Sequence, residues 1–90
     1  MADPDTLMWE VRAAPDRLPD LLHWIRTEAL DALRRTDGWQ GADVYTASDE
    51  RAVVIVRFDA PGARLPEPPA DLVRRPAHQW PFRHLLAARP

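Results

Sequence analysis

Aromatic rings and one histidine are the side chains in this sequence with the clearest chemical potential. They are Trp9, Trp24, Tyr45, His78 and Trp80, and the chain of 90 residues holds four tryptophans in all. Flat rings beside one polar group are suited to stacking on a planar aromatic ligand, so these five residues are candidates for a ligand pocket. The alternative, which we prefer, is that the rings fill a core and a dimer seam, where large aromatics are normal.

His78 is the candidate for acid–base chemistry, because an imidazole titrates near neutral pH and can donate or accept a proton beside a pocket. A single histidine is, however, more often a hydrogen-bonded structural residue. His78 and His84 lie six residues apart along one predicted strand, a separation of roughly 20 Å, and cannot share a metal ion. The sequence therefore predicts no metal site and no cofactor, and leaves the catalytic residues unassigned.

The residue types that are missing exclude several mechanisms. The chain has no Cys, no Lys and no Asn, and all 12 basic residues are Arg. Schiff-base chemistry, a cysteine nucleophile, disulfides and thiolate metal sites are excluded. Arg, Ala and Pro have GC-rich codons, so this composition is typical of a GC-rich genome such as an actinobacterial one.

Length and charge limit the class of protein. Ninety residues make a single domain, residues 1–90, and so short a chain is only marginally stable alone and often associates. A net charge of −2 without a basic block argues against nucleic acid as a partner. No apolar run approaches the ~20 residues of a membrane span, and the acidic N-terminal residues are unlike a secretion signal. These features predict a cytoplasmic protein.

Hydrophobic spacing predicts the first half of the fold. Residues 7–13 alternate as a half-buried strand, with Trp9 on one side and Glu10 and Arg12 on the other. Apolar residues at three- and four-residue spacing then predict a helix up to about residue 36, with Asp16 as its N-cap. Glu10 and Arg12 are expected to form ion pairs with Arg57 or Asp43 across a subunit interface.

The third predicted strand is the main argument for association. Residues 39–46 and 51–58 predict a hairpin, with turn-forming residues between them. At its centre Val53 and Ile55 point one way, and Val54 and Val56 point the other. A strand that is apolar on both sides is expected to be covered on both sides. Helices can cover one face, and a second copy of the sheet is the simplest cover for the other.

Prolines shape the last third of the chain. Residues 60–69 predict an extended proline-rich connector, and residues 70–75 a short helix ended by Pro76. Residues 77–85 alternate as a fourth strand, in which Pro81 requires an edge position or a bulge. The order strand, helix, strand, strand, short helix, strand predicts an α+β fold of the ferredoxin-like split βαβ type, with helices on one face of an antiparallel sheet.

The sequence resembles the dimeric α+β barrel superfamily, and within it the antibiotic-biosynthesis-monooxygenase-like (ABM-like) group. The resemblance is carried by residues 8–12, 18–33, Gly38, 42–45 and 53–58. The resemblance implies a homodimer that packs sheet to sheet, with a pocket between sheet and helices in each subunit. Haem-degrading members use an Asn, a Trp and a His, and polyketide oxidisers an Asn and a Trp. This chain lacks Asn and has Trp9 at the corresponding strand position, so those catalytic residues do not carry over.

Three functions remain as hypotheses. The preferred one is a non-catalytic accessory or interaction module, in which the proline-rich connector offers a docking edge to a partner protein. The second is a cofactor-independent monooxygenase-like or cyclase-like enzyme that acts on an aromatic metabolite through Trp9, Trp80 and His78. The third is a protein that binds haem or another planar ligand, with His78 or His84 as the axial ligand.

Overall fold

Four strands form one antiparallel sheet in the computed structural model, which describes residues 3–59 and 64–90. They are β1 (Thr6–Arg12), β2 (Trp39–Ala47), β3 (Arg51–Phe58) and β4 (His78–Phe82). Their order in the sheet is β2-β3-β1-β4, so β1 and β3 are central and the other two are edges. With one helical segment on the sheet, this is a mixed α+β fold that is compatible with a ferredoxin-like fold.

The helical segment covers one face of the sheet through a stripe of apolar residues. It consists of α1 (Leu18–Trp24), a π-helical turn (Ile25–Ala29) and α2 (Leu30–Arg34). The fully buried residues follow a four-residue repeat: Leu21, Ile25, Ala29 and Leu33. Such a repeat drifts around a helix of 3.6 residues per turn, and the wider π turn counters that drift. No helix in the described ranges is long and apolar enough to cross a membrane.

The start of this helix differs from the prediction. Asp16 does not cap it, because the helix begins at Leu18 and the preceding Arg17 makes no side-chain capping bond. Instead, the Arg17 N–H donates to the Ala14 carbonyl at 2.9 Å, and Asp16 within this turn has a φ of 61°. Asp is one of the residues that tolerate this left-handed conformation, which explains its place in the turn.

The predicted second helix over residues 70–75 is wrong. Only Ala70–Leu72 form a 3₁₀ turn, and Val73 is already extended, with φ −130° and ψ 153°. Val73 forms a β-bridge with Ala13, and the Arg74 N–H donates to the Arg12 carbonyl at 2.9 Å. These bonds to the end of β1 use the backbone groups that a helix would need. Within residues 3–59 and 64–90, one helical segment and not two therefore covers the sheet.

The connector takes the place of the missing helix on the same face. Leu65 and Leu72 are buried within the core, and the Gln79 side chain of β4 fixes the connector in position. Its amide accepts from the Leu65 N–H and donates to the Leu65 carbonyl, both at 3.0 Å. The first part of the predicted proline-rich connector, residues 60–63, lies outside the described residues.

Replacing Gln79 with alanine should lower the free energy of unfolding by about 1–3 kcal/mol, because two half-buried backbone groups of Leu65 lose their partners. Denaturant unfolding followed by circular dichroism measures this change. Gln40→Ala, an exposed amide on β2, is the matched control and should change stability by less than about 0.5 kcal/mol. Equal effects in the two variants would contradict a role for Gln79 in holding the connector.

The third strand is apolar on both sides, as predicted from its sequence. Val54 and Val56 are fully buried against the helix, whereas Val53 and Ile55 are half-buried on the opposite side of the sheet. Pro81 lies in β4 at the sheet edge, and β4 keeps a regular register with β1 there. The register shift in this sheet occurs elsewhere, between Trp39 and Gly41 of β2.

Candidate functional site

The sheet separates the five aromatic and histidine candidates into two groups. Trp9 and Trp24 lie on the helix-covered side, where their rings stack with centroids 6.3 Å apart and planes inclined by 28°. Trp9 is 0% exposed, at the centre of the core. Within the described residues its indole N–H has no hydrogen-bond partner. Trp9 and Trp24 are therefore packed on the core side of the sheet, and they do not line an open pocket together with Trp80.

Tyr45, His78 and Trp80 lie on the other side of the sheet, which no helix of the described part of the chain covers. The register pairs Tyr45 with Val53 across β2 and β3, and Trp80 with Met8 across β4 and β1. We call this surface the helix-free face. Its central members are Met8, Glu10, Tyr45, Val53, Ile55, His78, Trp80 and Phe82. Tyr45, Trp80 and Phe82 are 56%, 42% and 48% exposed, large values for aromatic side chains.

Ion pairs occupy both ends of the helix-free face. The Glu10 carboxylate is buried, with its two oxygens 2.8 Å from Arg51 Nε and 2.9 Å from Arg75 Nη2. At the other end, Arg57 Nη1 lies 2.7 Å from Asp43 Oδ2. Glu10 and Arg57 thus each have an oppositely charged partner within their own chain, and the expected ion pairs across a subunit interface stay a prediction.

The surroundings of His78 offer little support for acid–base catalysis. Its imidazole packs edge-on against Trp80, with ring centroids 5.4 Å apart and planes at 76°. The residue opposite it on β1 is Glu10, whose oxygens are engaged by two arginines. The described residues contain no cluster of three side chains that could hold a metal ion.

A concave site of about 410 Å³ lies on the helix-free face beside the Arg57–Asp43 pair. Its lining residues are Asp5, Thr6, Gln40, Asp43, Tyr45, Ile55, Arg57 and His84. Tyr45 is the one pocket candidate from the sequence that reaches it. Arg57 was not predicted to line a pocket, although its alternation with Val53 and Ile55 along β3 places it on this face. His84, one of the two candidate axial ligands, also lines the site. Its contact with Asp5 gave no sequence signal, since the two residues are 79 positions apart.

Asp5 holds the beginning of the C-terminal segment at the rim of this concave site. Its carboxylate accepts the backbone N–H of His84 at 2.8 Å, and the Thr6 hydroxyl donates to it at 3.0 Å. The bond from His84 is the main reason that the pKa of Asp5 lies below its ordinary value of 3.8. Because the folded state has the lower pKa, this carboxylate stabilises it above the unfolded pKa. That contribution is lost as the pH falls through the folded pKa.

We therefore expect Asp5→Asn to lower the unfolding temperature at pH 7, and the difference from wild type to shrink at a pH well below 3.8. Thermal unfolding at the two pH values measures it. Asp3→Asn, an exposed neighbour, is the control and should not change the unfolding temperature at either pH. A difference between Asp5→Asn and wild type that stays constant with pH would contradict this role of the Asp5 charge.

Comparisons with protein-family models, with curated proteins and with solved structures find no match for this chain. The fold class thus follows from the structure itself: a small α+β protein with a four-stranded antiparallel sheet and one helical segment.

Proposed function

We propose that this chain is a homodimeric interaction module of the dimeric α+β barrel type, without catalytic activity of its own, in which two copies pack their helix-free faces together. The observation that supports this most is the exposure of Tyr45, Trp80 and Phe82 on one face. An exposed apolar face of this kind on a small domain is typical of an interaction site.

The composition of the helix-free face supports this proposal. Met8, Val53 and Ile55 form an apolar centre between the exposed aromatic residues of the two edge strands. Charged groups occupy the ends, as at Arg57 and Asp43, which pair with each other within the chain. An apolar centre with a polar rim, enriched in Tyr, Trp, Phe and Met, is the usual composition of a protein–protein contact.

A second copy of the chain is the occupant that best fits this face. Glu10, Arg57 and Asp43 have oppositely charged partners in their own chain, so a second copy does not have to supply a charge to any of them. A domain of this length is marginally stable alone, so it gains from covering the apolar centre. The ABM-like resemblance of the sequence implies the same sheet-to-sheet packing.

Sedimentation velocity over a range of protein concentrations tests this proposal. The monomer mass is 10.3 kDa, and we expect the dimer, twice that mass, at micromolar concentration. Acrylamide quenching of tryptophan fluorescence should fall as the dimer forms, because Trp80 becomes covered. A monomer at every concentration would overturn the proposal, as would a dimer in which Trp80 stays as accessible as in the monomer.

A second function is favoured by one observation, the concave site beside Tyr45 and Arg57. A planar aromatic ligand could lie there between the sheet and a second copy, which corresponds to the planar-ligand and monooxygenase-like hypotheses. Titration with haem and polycyclic quinols, followed by tryptophan fluorescence, separates the two functions. Saturable quenching with one ligand per subunit, reduced in Tyr45→Ala, supports a ligand site. No response supports the interaction module alone.

A further inference from the structure

The two edge strands of the sheet differ in how they are protected against further pairing. β4 has five residues and contains Pro81, which limits strand pairing at an edge. β2 has nine residues with neither Lys nor Pro, and its outer edge pairs with no strand within residues 3–59 and 64–90. Soluble proteins usually protect such an edge, so the unprotected edge of β2 indicates contact with another strand.

Backbone hydrogen bonds at the end of β3 show which of its residues bond to β2. The Phe58 N–H donates to the Asp5 carbonyl at 3.0 Å, on the side of β1. The Asp59 N–H donates to the Gly38 carbonyl at 2.9 Å, on the side of β2. Because successive residues of a strand direct their backbone groups to opposite sides, the odd-numbered residues of β3 bond to β2.

The same alternation identifies the backbone groups that β2 leaves unpaired by β3. Ile55 lies opposite Asp43 in the register, and Val53 lies opposite Tyr45. The odd-numbered residues of β2 therefore bond to β3, and the even-numbered residues direct their N–H and C=O groups outward. The outward residues of the regular part of the strand are Ala42, Val44 and Thr46.

We propose that β2 pairs antiparallel with β2 of a second copy about a two-fold axis at Val44, so that two four-stranded sheets become one continuous sheet. In this register Val44 lies opposite the partner's Val44, and Ala42 lies opposite the partner's Thr46. Each pair of outward residues then exchanges two backbone hydrogen bonds. This contact goes beyond the proposed dimer, because it does not use the helix-free face.

Charge and turn geometry select this register over its neighbours. Here Asp43 lies opposite the partner's Tyr45. A shift in one direction would place Asp43 opposite the partner's Asp43, and like charges directly opposite each other are destabilising. A shift in the other direction would place Ala42 opposite the partner's Ser48, which lies in the turn after β2 with a φ of 59° and cannot continue the ladder.

A groove of about 360 Å³ beside β2 gives the contact an apolar part. It lies between β2 and the helical segment, and its lining residues are Leu22, Ile25, Arg26, Leu30, Val44 and Thr46. Val44 is 39% exposed, a large value for an apolar strand residue. At the two-fold axis the two Val44 side chains meet and the two grooves adjoin, so the pairing covers apolar surface as well as backbone groups.

The position of Val44 allows the edge contact and the proposed dimer to form one closed assembly. Val44, Val54, Trp9 and Gln79 lie side by side in the register, across the middle of the sheet. If the helix-free faces pack about a two-fold axis along this row, that axis meets the edge axis at a right angle. Four copies then close with D2 symmetry, a common symmetry of soluble oligomers.

Sedimentation equilibrium of the wild-type protein up to millimolar concentration tests whether the second contact exists. We expect the dimer at micromolar concentration and then a tetramer, four times the monomer mass of 10.3 kDa. The edge contact is the weaker one, because a strand edge and a groove bury less apolar surface than a sheet face. A protein that stays at the dimer mass would overturn the edge pairing and leave this edge to a strand from another protein.

Val44→Lys tests the position of the axis, because it places two like charges directly opposite each other in the pair. The monomer tolerates the change at this exposed position. We expect the dissociation constant of the tetramer to rise at least tenfold and that of the dimer to stay unchanged. Val44→Thr keeps a β-branched side chain and should stay within about threefold of wild type. A Val44→Lys tetramer as tight as that of wild type would overturn the inference.

Ile55→Lys separates this inference from the proposed function, because the new charge lies on the helix-free face. We expect this variant to form a dimer through the β2 edge at the concentrations at which wild type forms a tetramer. A folded Ile55→Lys protein that stays monomeric there would overturn the edge pairing. A wild-type protein that is monomeric at every concentration would overturn both proposals.

Disulfide trapping tests the register, because the chain contains no native cysteine. Val44→Cys should link to itself as a covalent dimer, since the Cα atoms of such a pair are about 5.5 Å apart, within the range of a disulfide. Thr46→Cys, exposed on the same strand, is the matched control. Its two copies lie roughly 13 Å apart along the strands, so it should link only when mixed with Ala42→Cys. Equal self-linking by Thr46→Cys and Val44→Cys, or none by Val44→Cys, would overturn the inference.

Discussion

Replacing Trp9 with alanine is expected to lower the free energy of unfolding by about 3–5 kcal/mol. The side chain is fully buried, stacks on Trp24 and pairs across the sheet with Val54, so its loss leaves a cavity at the centre of the core. Small domains have a total stability of about 5–15 kcal/mol, so we expect this variant to lose a large part of its stability. Denaturant unfolding followed by far-ultraviolet circular dichroism measures the change without relying on tryptophan emission.

Trp9→Phe is the matched control, and it separates ring packing from hydrogen bonding. The indole N–H of Trp9 has no partner in the described structure, so removing it leaves no other group unsatisfied. We expect Trp9→Phe to cost less than half as much as Trp9→Ala. If Trp9→Ala cost under about 1 kcal/mol, the ring would not be packed core, and its role as the wall of an open ligand pocket would be supported.

Ile55→Lys is expected to weaken the proposed dimer at least a hundredfold, which corresponds to about 2.7 kcal/mol. Ile55 lies in the apolar centre of the helix-free face, between Met8 on β1 and Asp43 on β2. In the monomer the new ammonium group stands beside the Asp43 carboxylate and stays in water. In the dimer it would have to be buried against a second apolar face, where an unpaired charge is costly.

Sedimentation equilibrium of Ile55→Lys gives the dissociation constant, and circular dichroism shows whether the variant is folded. Ile55→Val keeps a branched apolar side chain at this position, and we expect it to dimerise within about threefold of wild type. A folded Ile55→Lys protein that dimerises as tightly as wild type would show that association, if it occurs, uses another surface. Such a result would contradict sheet-to-sheet packing while leaving the fold unaffected.

The elements that the sequence predicted correctly are those that depend on neighbouring residues. The strand that contains Val53 and Ile55 begins and ends at the predicted residues, because its alternation and its turn are both local signals. The apolar stripe of the helical segment was also predictable, because the spacing of its residues is a local signal. The π turn within this segment was not predicted. The sequence also placed Trp9 and Glu10 on opposite sides of β1, as the structure does.

The sequence-based predictions were wrong where the backbone forms hydrogen bonds with residues outside the local sequence pattern. Residues 70–75 have a sequence compatible with a helix, yet the bridge from Val73 to Ala13 makes the second part of that segment extended. Asp16 has the right side chain for an N-cap but lies in a tight turn that excludes it. In both places, backbone hydrogen bonds to residues outside the local pattern decided the conformation.

The candidate site was likewise predictable only in part from the sequence. Sequence alone singled out the aromatic residues and indicated, from the doubly apolar β3, that the second face of the sheet needs a cover. Only the tertiary structure placed Trp9 and Trp80 on opposite faces and brought Arg75 to Glu10, a partner 65 residues away. Side-chain periodicity assigns residues to a face within one strand, whereas the shared face of two strands depends on their register, which long-range pairing determines.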